Sequence, residues 1–151
     1  MIMKAISIRQ PWAGLIILGF KDIENRTWPA PGRIHGTNIL IHAGKQPDKD
    51  ALQDFATISE AAFNLALRAG VSQMDFYART DAAPYAFNRG GVLGVAKLEG
   101  CVKGSSSPWA FQEPSTWHWQ FSTAKGVKPF GCKGMLGFFD VDYPHQIEEI
   151  A

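Results

Sequence analysis

The 151-residue chain lacks several things, and each lack removes a class of protein. No apolar segment reaches the roughly 18–20 residues that cross a bilayer, so no membrane-spanning helix is expected. The start, MIMKAISIRQPW, has Lys4 followed by alternation instead of a long apolar stretch, and does not read as a signal peptide. There are only two cysteines, Cys101 and Cys132. Without an export signal they read as reduced, unpaired thiols in a cytoplasmic protein. No C-x-x-C or H-x-x-x-H pair occurs and the four histidines are scattered, so neither a metal site nor a cofactor is expected. No repeat, low-complexity tract or linker interrupts the chain, which is expected to form one domain over residues 1–151.

What is present is a core-forming composition: 46% hydrophobic and 12% aromatic residues. The net charge of +1 hides a segmental pattern: +4 over 1–47, −2 over 48–90, +3 over 91–139 and −4 over 140–151. A core formed by the first and third segments would carry a basic surface, which suits an anionic partner.

Residues 4–9 (KAISIR) alternate and are β-branched, as in a strand. In 11–19, Pro11 suits a helix start, Trp12, Leu15 and Ile16 recur at helical spacing, and Gly19 is a stop. Strands are expected over 22–28, 38–43, 92–102 with a bulge at Gly100, 117–122 and 135–143. A long helix is expected over 48–69, from an Asp48 cap to a stop at Gly70. Residues 71–90 read as irregular, 103–109 as a loop and 125–134 as a basic, glycine-rich turn. About six short strands at irregular spacing, with one short and one long helix, predict an α+β, mainly β fold. It should be a largely antiparallel, partly closed barrel carrying inserted helices, not a parallel doubly wound sheet.

The segment 18–28, LGFKDIENRTW, holds Lys21, Asp22, Glu24 and Arg26 where a helix gives way to a strand. In an extended chain Glu24 and Arg26 share a face, and Lys21 lies in the connection. Arg26 offers a planar fork for phosphate or carboxylate. A desolvated Lys21 would have its pKa drawn toward the proton-transfer range. Glu24 could orient both cations or exchange a proton. The same spacing also fits a solvated surface ion-pair cluster worth only about 0.2–1 kcal/mol per pair.

GFKDIENR fits G-x-K-x-x-E-x-R through Gly19, Lys21, Glu24 and Arg26. It resembles the signature of the ASCH (activating signal cointegrator homology) domain. SIRQPWAGLI (7–16), LIHAGK (40–45) and KGMLGFFDVD (133–142) resemble the flanks of bacterial and phage members, in order along the chain. The resemblance implies a small PUA-like, mixed or antiparallel β-barrel with helices over a cleft lined by Lys21, Glu24 and Arg26. It also implies binding of RNA or modified nucleotides, in association with translation or coactivation machinery. Some members are amidohydrolases of acylated cytidine, in which a lysine activates a threonine and a glutamate comes from elsewhere. Here Lys21 fits the lysine, Glu24 occupies the threonine's place and Thr27 has the other strand parity, which argues against that activity. Other members are proposed ribonucleases; in that role Lys21 and Arg26 would stabilise a pentavalent phosphate, and Glu24 would act as base or metal ligand.

Around the motif, Arg9, Gln10 and Trp12 lie at the strand-to-helix junction: Arg9 as a phosphate contact, Trp12 as a stacking face or a core residue. His42 and Lys45 end a strand and border the same cleft, unless His42 is a satisfied core histidine. Trp109 and Phe111 are stackers or a plug for the barrel end, and Trp117 with Trp119 read as core. Lys125, Lys128 and Lys133 form a backbone-tracking patch or protect a sheet edge. The expected function is RNA or nucleotide binding through Arg9, Gln10, Trp12, Lys21, Glu24, Arg26, His42 and Lys45. The alternative is a hydrolase, either ribonuclease or nucleoside amidohydrolase, with Lys21, Glu24 and Arg26 catalytic in the same cleft. A third reading is a protein-interaction module in which the motif is an internal ion-pair staple.

Overall fold

The computed structural model describes residues 1–147. Six strands form one mixed sheet: β1 (Ile2–Ile8), β2 (Ile23–Arg26), β3 (Thr37–Ala43), β4 (Gly91–Val102), β5 (Trp117–Gly131) and β6 (Phe138–Asp142). Their order is β2-β5-β4-β3-β1-β6. Only β1 and β3 pair in parallel; every other neighbour is antiparallel. Among the described residues three α-helices, α1 (Trp12–Ile17), α2 (Ile58–Arg68) and α3 (Gln73–Ala82), and a short 3-10 helix at Gly32–Ile34 are inserted. The fold is mainly β within the α+β class, a half-barrel with a few helices.

Central strands bury both faces, and this explains their continuous apolar runs. Ile39 and Ile41 of β3 join Ile6 and Ile8 of β1 in the core under α1, while Leu40 and Ala5 point into a second core with Phe139, Val141 and Tyr143. A third cluster packs Leu15, Ala62, Ala66, Phe76 and Trp109 between the helices and the long loop after β4. The sheet curls far enough that Trp119 of β5 stacks on Phe138 of β6, with ring centroids 5.2 Å apart, although the two strands stand near opposite ends of the strand order. Trp28, just beyond β2, fits edge-on against Trp119, at 4.6 Å. The half-barrel is therefore bridged by side chains where no strand pairing joins its ends.

Several expected boundaries shift. The helix expected from residue 48 begins at Ile58, because Thr57 caps it: its hydroxyl accepts the Glu60 N–H at 3.1 Å, and Glu60 Oε2 accepts the Ala56 N–H at 3.1 Å. Asp48 caps a turn instead, accepting the N–H groups of Asp50 and Ala51. The stops at Gly19 and Gly70 hold, both with positive φ. Residues 71–90, read as irregular, contain α3, whose Ser72 cap accepts the Asp75 N–H at 3.1 Å. It buries only Phe76, so its apolar periodicity was too thin to register. Of the expected basic turn at 125–134, residues 125–131 belong to β5, which runs on to Gly131, and only 132–134 lie in the loop after it. Gly126 serves close packing there, since a Cβ would sit 2.4 Å from the Tyr85 hydroxyl. The bulge expected at Gly100 is present as a register shift between β4 and β5. The last strand starts at Phe138 rather than at 135, which frees Met135 and Leu136 from the sheet. Glu148 and Glu149 of the acidic tail lie outside the described residues.

Candidate functional site

At Gly19 the chain leaves α1 with φ +82°, and the N–H groups of Phe20 and Lys21 turn back to the Leu15 carbonyl. The turn sends Lys21 inward, where its side chain is only 2% exposed. Its ammonium donates to the Ile23 carbonyl and to Glu24 Oε1, the latter at 3.1 Å, and lies 5.5 Å from the Trp12 ring centroid. Period-two alternation along β2 puts Ile23 in the core and brings Glu24 and Arg26 to one face. Glu24 Oε2 accepts from Arg26 Nε at 3.1 Å and Nη2 at 2.9 Å. The same Nη2 also donates to the Ser7 carbonyl at 3.1 Å, tying edge strand β2 to β1. Arg26 Nη1 has no hydrogen-bond partner among the described residues. The Arg26 side chain is 23% exposed. Asp22 makes no hydrogen bond or ion pair with these three: it is exposed and accepts from the Ser107 hydroxyl at 2.6 Å.

Two cations thus share one buried carboxylate. Desolvation pushes Lys21 below its ordinary pKa of 10.5, against the pull of Glu24. Burial alone would raise Glu24, but the charges of Lys21 and Arg26 outweigh it and hold the carboxyl below its ordinary 4.5. Glu24 accepts from three N–H donors and its carboxyl is held below the ordinary range, so it is a poor general base in this arrangement. Among the described residues no three His, Cys, Asp or Glu side chains converge as a metal site.

The triad forms part of the floor of an open cleft of about 1200 Å³. Its rim carries Arg9, Lys45 and Lys133, all exposed and none in an ion pair among the described residues. The rim also carries three apolar side chains in water: Phe111 at 55% exposure, Met135 at 63% and Leu136 at 100%. Asn25 of β2 holds Phe111 at this edge, donating to the Trp109 carbonyl at 3.0 Å and accepting the Phe111 N–H at 2.9 Å. Trp109 itself is buried as a plug, and Trp119 is core.

Of the expected contacts, Arg9, Trp12, Lys21, Glu24, Arg26, His42 and Lys45 all border this cleft. Trp12 is partly buried, its indole N–H donating to Asp48 Oδ2 at 2.8 Å, so it forms wall and core at once. Gln10 is different. Its amide donates to the carbonyls of Ala86 and Asn88 and accepts the Gly14 N–H, and the side chain is fully buried away from the cleft lining. It staples α1 to the segment before β4. His42 is also buried, bonded to Ser7 and to the Cys132 carbonyl. Lys133 reaches the cleft, whereas Lys125 and Lys128 do not line it. Sequence reasoning missed Ser7, Asn25, Met135 and Leu136 as lining residues. The one available signal was the pair of glycines, Gly134 and Gly137, bracketing an apolar dipeptide.

A family model described as "ASCH domain" matches residues 6–133. Among solved structures, the chain is similar to the crystal structure of a mutant of ZmASCH from Zymomonas mobilis. Identity is 13% and the TM-score 0.49, over 90% of this chain and 85% of that one. No curated protein matches the chain.

Proposed function

The chain belongs to the ASCH domain family, whose members are generally RNA-binding, and we propose that the cleft over Lys21, Glu24 and Arg26 binds RNA or a nucleotide. The observation that carries this reading is an excess of cations over carboxylates: two cations share Glu24 on the floor, and the rim cations have no carboxylate partner among the described residues. Arg26 keeps Nη1 unbonded, and Arg9, Lys45 and Lys133 stand around the cleft without carboxylate partners among the described residues. Anionic groups satisfy such donors, and phosphates suit an arginine fork. Phe111, Met135 and Leu136 beside these cations favour a ligand that alternates charge with flat apolar rings, as a nucleotide chain does. Arg9, Trp12, Arg26 and Lys45 are the proposed contacts. Lys21, Glu24 and His42 hold the floor, and Gln10 acts through α1. We take residues 1–151 as one such domain, acting in the cytoplasm, where the free cysteines Cys101 and Cys132 would stay reduced.

The interaction-module reading separates in one experiment, a fluorescence titration of a labelled single-stranded RNA at several salt concentrations. Arg26→Ala should weaken binding by about 10–150-fold, the equivalent of a charged hydrogen bond worth roughly 1.5–3 kcal/mol. Lys21→Ala should weaken it as well. Wild-type affinity in both variants, with unchanged melting temperatures, would remove the cleft from the function.

A further inference from the structure

Ser7 and His42 face each other in register on the parallel strands β1 and β3, and both line the cleft. Ser7 Oγ lies 3.0 Å from His42 Nδ1. On the far side of the ring, His42 Nε2 lies 2.8 Å from the Cys132 carbonyl oxygen. A carbonyl only accepts, so Nε2 carries a hydrogen; in the neutral imidazole Nδ1 then has the lone pair, and the Ser7 hydroxyl donates to it. A hydroxyl whose proton already points at a base, with that base oriented by a third group, is the arrangement of an activated nucleophile.

The surroundings fit that chemistry. The loop after β5 runs so close to the pair that a Cβ on Gly134 would come within 3.0 Å of Ser7 Oγ and 2.8 Å of His42 Cε1. Gly134 and Met135 donate no backbone N–H hydrogen bond among the described residues. Arg26, bonded to the Ser7 carbonyl, brings an unbonded guanidinium N–H to the same residue. The Arg26 guanidinium, held at the Ser7 backbone, puts a positive charge beside the pair, which favours an anionic substrate.

We propose that Ser7 is a catalytic nucleophile and His42 its general base, acting on carboxylic esters that carry an anionic group. Ser7 Oγ bonds to the ester carbonyl carbon as its proton passes to Nδ1. The bond to the leaving oxygen breaks, and that oxygen takes the proton from His42, departing as an alcohol. Water then attacks the acyl-serine while His42 removes its proton. The carboxylic acid leaves and Ser7 recovers its proton, so the net change is ester plus water to acid plus alcohol. The activity uses the same anion site as the proposed binding but does not need RNA.

The test treats the full-length protein with a fluorophosphonate probe, in which Ser7 Oγ displaces fluoride from phosphorus, and locates the adduct by peptide mass spectrometry. Hydrolysis of p-nitrophenyl succinate is followed in parallel. The expected result is one adduct on Ser7, absent in Ser7→Ala, with the Ser7-dependent hydrolysis lost in that variant. His42→Gln should slow both reactions at least about 100-fold, the low end for removal of a general base. Ser7→Ala removes only a hydroxyl, and its melting curve verifies the fold. A folded wild-type protein that takes no label at Ser7, or that hydrolyses the ester no faster than Ser7→Ala, overturns the inference; RNA binding that persists in that protein leaves the binding function standing. Conversely, an adduct on Ser7 combined with wild-type RNA affinity in Lys21→Ala and Arg26→Ala would retain the nucleophile and discard the binding function.

Discussion

The floor and the rim of the cleft are built from the same residue types under opposite physical conditions. On the floor, Lys21 and Glu24 are buried, and with Arg26 they bond to one another. On the rim, Arg9, Lys45 and Lys133 are exposed and make no ion pair among the described residues. A buried charge is tolerated only when paired, so the floor must be complete in the folded chain. An exposed cation costs the fold almost nothing and remains free for a partner. The contrast separates what determines shape from what supplies affinity.

Removing the floor's single anion should produce the largest effect. Glu24→Gln leaves a buried ammonium beside a guanidinium, and loss of about 3–5 kcal/mol in urea unfolding is expected. Lys45→Ala on the rim should change stability by less than about 0.5 kcal/mol. Comparable values for the two variants would erase the distinction.

A pH series sharpens it further. Glu24 titrates lower in the folded protein than in the unfolded chain, where it sits near 4.5, so the unfolded state takes the proton first as acid is added. Its stabilising contribution is complete above 4.5 and is lost as pH falls through its depressed folded value. Lys21 adds a slope of the same sign at the alkaline end. Between its depressed folded value and 10.5 the unfolded chain holds a proton that the folded one has shed, so this group's contribution rises with pH across that window. Unfolding midpoints from pH 2 upward should show the acid loss in wild type and much less of it in Glu24→Gln.

On the rim, Phe111→Ala should reduce RNA affinity by roughly 1–3 kcal/mol, the range for one stacked base, at unchanged melting temperature. The triple change Arg9→Ala, Lys45→Ala and Lys133→Ala should act mainly on salt dependence. The slope of log affinity against log salt should flatten by about two, at roughly 0.7 for each contact to a single strand. An unchanged slope would mean that the rim cations never meet phosphate.

Local signals were legible where neighbouring residues decide the outcome. The alternation in β2 correctly set Glu24 and Arg26 on one face, and Gly19 and Gly70 correctly ended their helices. They misled where two local signals competed. Asp48 looked like a helix cap, but the Thr57–Glu60 pair closes its own hydrogen bonds and starts α2 ten residues later. The glycines of 125–134 suggested a turn, but strand pairing with β4 takes Gly126 and Gly131 into β5 and leaves only Gly134 in a loop.

By itself the sequence determined the strands, the mixed-charge triad and the family, because these depend on spacings of a few residues that survive in any sufficiently extended or helical chain. Only the tertiary structure decided that Gln10 turns inward, that Met135 and Leu136 stand in water, and that Ser7 meets His42 thirty-five positions away. The physical reason is that those outcomes follow from which strands pair and how far the sheet curls. Sheet pairing and closure are summed over many weak, long-range contacts, so no short window of residues encodes them.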